Sequence, residues 1–165
     1  GTDDGHNYHG NAVGKSNPLR GWVWVRAAKL TPESLISAME AGDFYSSSGV
    51  KLRELRQSAK ELSLEIEAEP GVTYTTQFIG TRRGYDPRNE PQRNTAGEAV
   101  RVAHIYSKDI GAVLAEVNGP RASYRPKGDE IYVRAKIISS KPHANPSQRG
   151  DVETAWTQPV VPATR

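Results

Sequence analysis

The sequence predicts a mainly β protein: an antiparallel β-sandwich preceded by a short β/α segment. The first observation is the strict alternation of apolar and polar residues from Leu62 to Glu67, which is typical of a strand with one wet face. The second is the repetition of short apolar stretches separated by Gly, Pro and Asn, which favours a sandwich over β/α alternation. These further predicted strands cover residues 74–79, 99–106, 112–117 and 131–138.

The β/α segment comes first in the chain. Residues 22–28 are mostly apolar on both alternating sides, which predicts a strand buried on both faces. Thr31 is a good N-cap, Pro32 fits the first helical position, and Gly42 is a natural stop, so a short helix is predicted between them. Its apolar stripe is formed by Leu35, Ile36 and Met39. Trp22 and Trp24 could instead form a stacking platform for a sugar or base, but we expect them to pack in the core or against a part of the protein that this chain lacks.

The predicted core of the sandwich follows from the apolar positions of its strands. We expect these side chains to be buried between two antiparallel sheets. They are Leu62, Leu64, Ile66, Phe78, Ile79, Val113, Val133, Ile137 and Trp156.

The composition excludes several classes of function. With 165 residues the chain can bury a real core. Its longest apolar runs, such as Ile110 to Leu114, are far shorter than the roughly 20 residues of a membrane-spanning helix. The 22 basic and 19 acidic residues give a net charge of +3, too small to argue for nucleic-acid binding. Absence of cysteine rules out disulfides and thiolate metal sites and leaves the cellular compartment open.

Asp4 and His6 are candidate metal ligands near the start of the chain. In an extended segment, residues two apart project to the same side, so this carboxylate and imidazole could bind one cation. The alternative is an exposed turn, since Asp, Gly and Asn are common turn residues. Two ligands rarely hold a metal by themselves.

The opening residues 1–8, GTDDGHNY, resemble the last metal-binding motif of the polymerase and histidinol phosphatase (PHP) superfamily of metal-dependent phosphoesterases. Other stretches resemble the downstream pattern of that family in the right order: residues 21–27, residues 30–32 leading to 41–49, and residues 155–160. The resemblance implies that residues 1–48 are the C-terminal remnant of a PHP-like (β/α)7 barrel and residues 49–165 an appended β-sandwich. Of the family's metal ligands, only Asp4 and His6 have counterparts here.

The resemblance also implies a function. The parent protein would hydrolyse a phosphoester with divalent zinc, manganese or iron, and its missing N-terminal barrel would supply the other ligands. We therefore expect this chain alone to be non-catalytic, to hold no metal stably, and either to pack its first segment on the sandwich or to form a homodimer. The alternative is a stand-alone sandwich that binds a carbohydrate or cell-surface ligand.

An arginine-rich stretch provides a second candidate site. Residues 80–97 are polar, and the sequence predicts a long loop there, with a similar loop at 139–154. Guanidinium groups bind phosphate oxygens in a bidentate manner, so the arginines of the first loop could bind an anion. A solvated, mobile loop is the alternative. The candidate residues are Arg82, Arg83, Arg88 and Arg93.

Overall fold

The computed structural model describes residues 3, 5–10 and 12–163. With 45% of residues in strands and 6% in helix, it confirms a mainly β fold with antiparallel sheets. The strands are β1 (Trp22–Val25), β2 (Phe44–Ser47), β3 (Leu52–Gln57), β4 (Leu62–Ile66), β5 (Tyr74–Arg82), β6 (Asn89–Arg93), β7 (Ala99–Tyr106), β8 (Ala112–Asn118), β9 (Arg121–Tyr124), β10 (Glu130–Pro142) and β11 (Val152–Thr157), and the helix is α1 (Pro32–Glu40).

Two of the sheets pack face to face. The larger has the strand order β1-β2-β11-β10-β5-β8, and the smaller has the order β3-β4-β9. Buried side chains from both sheets form a single apolar cluster, in which Phe78 of the larger sheet stacks on Tyr124 of the smaller at 5.4 Å. The remaining strands, β6 and β7, pair only with each other among the described residues, as a separate hairpin.

Most of the predicted core is found in this cluster. It contains Leu62, Leu64, Ile66, Phe78, Val133 and Ile137. Val113 and Trp156 were wrongly placed there. Ile79 follows inward-facing Phe78 and so turns to the outer face, and a register shift in β8, where Leu114 is the extra residue between Val113 and Ala115, turns Val113 to the same face. Ile79 is buried there, whereas Val113 is 52% exposed.

Trp156 also lies on the outer face of the larger sheet. Its neighbours Ala155 and Thr157 are buried on the inner face, and alternation along β11 then turns the indole outward. The prediction that Trp156 is a core residue is therefore wrong. Periodicity shows that β11 has two different faces, but it does not show which one meets the second sheet.

The beginning of the chain joins the larger sheet. Strand β1 pairs antiparallel with β2, which pairs antiparallel with β11, so this sheet contains strands from both sides of the expected boundary after residue 48. Strand β1 is the edge of a six-stranded sheet that faces only three strands. As a result Trp22 and Trp24 remain 38% and 39% exposed, and the prediction of a strand buried on both faces is wrong.

The helix begins and ends as its capping residues indicate. The Ser34 amide donates to Thr31 Oγ1 at 3.4 Å, Pro32 occupies the first turn, and Gly42 has a φ of 77° just after the last turn. Of its nine residues only Ala38 is buried. No helix in the described part of the chain is long and apolar enough to cross a membrane.

The two predicted loops contain more strand than expected. Within residues 80–97, β5 continues to Arg82, and β6 forms a hairpin with β7. Within residues 139–154, β10 continues to Pro142 and β11 starts at Val152. Polar strands at a sheet edge or in a hairpin need no apolar alternation, so their sequences are hard to distinguish from loops.

Candidate functional site

The predicted ligand His6 lies in a loop that folds back on itself. The amides of His6 and Asn7 both donate to the carbonyl oxygen of Ser16, at 2.9 and 3.0 Å. The His6 side chain is exposed on the protein surface. The other predicted ligand, Asp4, lies outside the described residues. The structure therefore describes the position of His6 but not that of Asp4.

Asp3 closes this loop onto the residues that lead into β1. Its carboxylate accepts hydrogen bonds from the consecutive amides of Leu19, Arg20 and Gly21, at 2.6, 3.0 and 2.7 Å. Hydrogen bonds from amides to a carboxylate are stronger than those between neutral groups. They offset the cost of the left-handed backbone of Leu19, which has a φ of 63°. Sequence reasoning missed this role, because the contact joins residues 16 to 18 positions apart.

Two asparagines connect the same loop to the turn before β11. Asn17 is fully buried, and its side-chain amide donates to Ala12 O at 2.8 Å and to Asn145 Oδ1 at 3.0 Å. Asn145 in turn donates to Pro18 O at 2.9 Å. Each amide group satisfies polar backbone that the turn would otherwise bury without partners.

Arg20 and His143 complete this polar cluster. The guanidinium of Arg20 donates to the carbonyl oxygens of Ala12, Lys15, Asn145 and Pro146, and so joins both loops. The Asn145 amide donates to His143 Nδ1 at 3.0 Å, which makes Nδ1 an acceptor. The proton of the neutral ring is then on Nε2, which donates to Arg20 O at 3.0 Å. Both ring nitrogens of His143 thus bind the backbone, and its role is structural.

The described residues do not form a metal centre by themselves. Nowhere among them do three or more His, Asp or Glu side chains converge as a cation would require. Of the nearby carboxylates, Asp3 accepts from three amides, and Asp151 accepts from the amides of Ser147 and Gln148, each at 2.8 Å. A metal at His6 would need ligands from outside the described residues.

The four predicted anion-binding arginines are spread along the hairpin region. Arg88 precedes β6 and Arg93 ends it, about 17 Å apart at the rise of an extended strand. Three of the four guanidinium groups have partners: Arg82 bonds to Asp129 at 2.5 Å, Arg88 to Asp86 at 2.7 Å, and Arg93 to Gly97 O at 2.7 Å. Arg82 and Arg83 do line one shared cavity.

Glu130 is a buried carboxylate at the start of β10. Burial by itself would raise its pKa, but hydrogen bonds from the Tyr124 hydroxyl at 2.6 Å and from the amides of Lys127 and Gly128 outweigh burial and lower the pKa to about 2. Burial and the same bond raise the pKa of Tyr124 to about 12. With all these bonds formed, Glu130 is a structural anion that connects β9 to β10.

No family model, curated protein or solved structure matches this chain. The resemblance to PHP phosphoesterases therefore rests on the motifs around Asp4 and His6 and on their order along the chain.

Proposed function

We propose that this chain contributes Asp4 and His6 to the metal centre of a metal-dependent phosphoester hydrolase. The observation that supports the proposal is the anchoring of the loop next to these residues. Asp3 holds it through three amides, and Asn17 and Arg20 fix it from within. A metal ligand must sit on well-supported backbone to hold its geometry, and these hydrogen bonds supply that support.

Two ligands fit only part of a metal site. A hydrolytic cation has at least three protein ligands and an open position, so further ligands must come from outside the described residues. The motif resemblance assigns them to a His-x-His pair and later Glu, His and Asp residues of a PHP barrel. Zinc, manganese or iron bound there would acidify a water and neutralise phosphoryl charge. The role of this chain's own residues is to position His6.

The test compares His6 with its neighbour His9, which matches nothing in the PHP motif. The protein encoded by the full reading frame is purified as wild type, His6→Ala and His9→Ala, and assayed for bound metal and for hydrolysis of an aryl phosphate. We expect His6→Ala to weaken metal binding by at least about tenfold and to abolish hydrolysis, because a lost ligand cannot be replaced by water without loss of affinity. His9→Ala should leave both unchanged.

The isolated 165-residue chain is the second arm of this test. We expect it to show no manganese- or zinc-dependent hydrolysis. Hydrolysis by the isolated chain that disappears in His6→Ala would contradict the need for further ligands. Equal metal content in His6→Ala and wild type would contradict the ligand assignment itself.

Trp22 and Trp24 favour a second candidate function, that of a binding module. Both indoles lie on the same side of edge strand β1 and remain about two-fifths exposed, which suits stacking against the apolar face of a neutral sugar. If this function is correct, cellohexaose should change the tryptophan fluorescence of the wild type and not that of Trp22→Ala. An equal change in both proteins would exclude the platform.

A further inference from the structure

The outer face of the larger sheet carries a row of polar side chains around one tryptophan. The strand register places Ser46 opposite Trp156, Trp156 opposite Lys136, and Lys136 opposite Gln77. Side chains directly opposite on antiparallel strands are about 5 Å apart at Cβ. Trp156 is therefore flanked by a hydroxyl on one strand and a cation on the other.

Two cations lie over the Trp156 ring. The guanidinium carbon of Arg134 is 4.5 Å from the ring centroid and the Lys136 ammonium is 5.1 Å from it. Within the described residues neither cation has a carboxylate partner, and the Nε of Arg134 is buried without a hydrogen-bond partner. A cation–π contact fixes the position of a cation but does not neutralise its charge. This pair therefore retains the capacity to bind an anion.

The face next to Trp156 is concave. A cavity of about 530 Å³ is lined by Trp156, Ser46 and Lys15, and a second of about 450 Å³ is lined by Lys136. They share four lining residues, so they form one continuous groove. The shared residues are Arg20, Ser48, Ser147 and Thr154.

The other charged side chains along this groove already have backbone hydrogen-bond partners. Asp3 and Asp151 line it, but their carboxylates accept backbone amides. Arg20 donates to backbone carbonyls. The cations that remain for a ligand are Lys15 and Lys136, which line the groove, and Arg134, which lies over the same Trp156 ring as Lys136. The groove thus has a positive potential that the acidic residues reduce but do not cancel.

Hydroxyl groups supply the remaining recognition. Ser48 Oγ and Thr154 Oγ1 are 3.4 Å apart, and either can donate or accept. Ser46 Oγ donates to Trp156 O, also at 3.4 Å, so this bond is weak. A ligand with several hydroxyls could replace these long contacts with shorter ones.

We propose that this groove binds an anionic sugar, with its phosphate or carboxylate at Lys136 and Arg134 and its hydroxyls at Ser48 and Thr154. The proposed contacts with the ligand include neither Asp4 nor His6, although Asp3, next to Asp4, lines the groove. Binding should therefore occur without any metal.

Calorimetric titration of the 165-residue chain tests this in a low-salt buffer containing EDTA. The probes are glucose 6-phosphate, glucuronate and glucose. We expect at least one anionic probe to bind at millimolar concentration or below, and Lys136→Gln to weaken it by about tenfold, the loss of one charge-assisted contact. Added salt should weaken binding as well. Lys108→Gln, on an exposed turn before β8, is the control and should bind like the wild type.

The pattern across probes decides the outcome. Binding of glucose 6-phosphate assigns a phosphate, and binding of glucuronate alone assigns a carboxylate; both support the site. Glucose binding as tightly as the anions would overturn it, and so would equal losses in Lys136→Gln and Lys108→Gln, or no binding of any probe up to about 10 mM. Because EDTA is present throughout, the titration measures sugar binding without metal. A negative titration therefore does not contradict the proposed metal centre, and a negative metal assay does not contradict the sugar site.

Discussion

The sandwich and the N-terminal segment (residues 3–21, with Asp4 and Asn11 not described) are stabilised by different interactions. The sandwich has a cluster of fifteen buried apolar side chains, and the earliest of them in the chain is Tyr45. The N-terminal segment contributes none of these; Asp3 closes it internally, and hydrogen bonds of Asn17 and Arg20 to Asn145 and Pro146 attach it to the rest of the protein. Apolar burial is summed over many contacts, whereas the polar attachment depends on a few groups.

This difference implies two levels of stability. Disruption of the sandwich core should unfold the whole molecule, because its contacts are shared by both sheets. Disruption of the polar attachment should release the N-terminal segment locally and leave the sheets intact. The segment that carries His6 can therefore open locally while both sheets stay folded.

The largest expected effect is on the core. Phe78→Ala should lower the free energy of unfolding by about 3–5 kcal/mol, because Phe78 is fully buried and stacks on Tyr124 between the sheets. Urea denaturation followed by tryptophan fluorescence measures the change. Val113→Ala is the control: Val113 lies on the outer face and is half-exposed, so the loss should be about 0.5 kcal/mol or less. Equal losses would contradict the outward position that the register shift in β8 gives to Val113.

Acid should remove a smaller contribution from the same region. The pKa of Glu130 is lowered from its ordinary 4.5 to about 2, so the folded state favours the carboxylate. Its contribution is fully present above pH 4.5 and is lost as the pH falls from there towards 2. The size is about 3 kcal/mol, at 1.36 kcal/mol for each unit.

Urea denaturation at a series of pH values, with wild type and Glu130→Gln, isolates this term. The variant should be less stable at neutral pH, and the difference between the two proteins should shrink as the pH approaches 2. A difference that stays constant from pH 6 to 2 would mean that Glu130 does not titrate in this window.

The smallest expected effect is local and concerns the N-terminal segment. Asp3→Ala should increase hydrogen exchange at the amides of Leu19, Arg20 and Gly21 by at least about tenfold, since each loses a bond to a carboxylate. Exchange in β5 should not change. Glu33→Ala, an exposed acid of α1, is the control. Faster exchange in β5 as well would show that the segment and the sandwich open together, against the comparison above.

The sequence predicted the regular parts of this fold more accurately than its irregular parts. Alternation located β4, and the capping residues located α1, because both signals act within one element. The hairpin of β6 and β7 was interpreted as a loop, since its polar strands pair only with each other. The site was predicted least completely: Asp4 and His6 were chosen by motif, while Asp3, Asn17 and Asn145 were not anticipated.

The sequence by itself determined that the chain forms antiparallel strands and a capped helix, and that its lack of cysteine excludes disulfides and thiolate metal sites. Only the tertiary structure decided which face of β11 meets the second sheet and therefore that Trp156 lies outside with Arg134 and Lys136. It also decided that Asp3 meets the amides of residues 19–21. The reason is physical: periodicity records the two sides of an element, but the partner of each side is fixed by packing between elements distant in sequence.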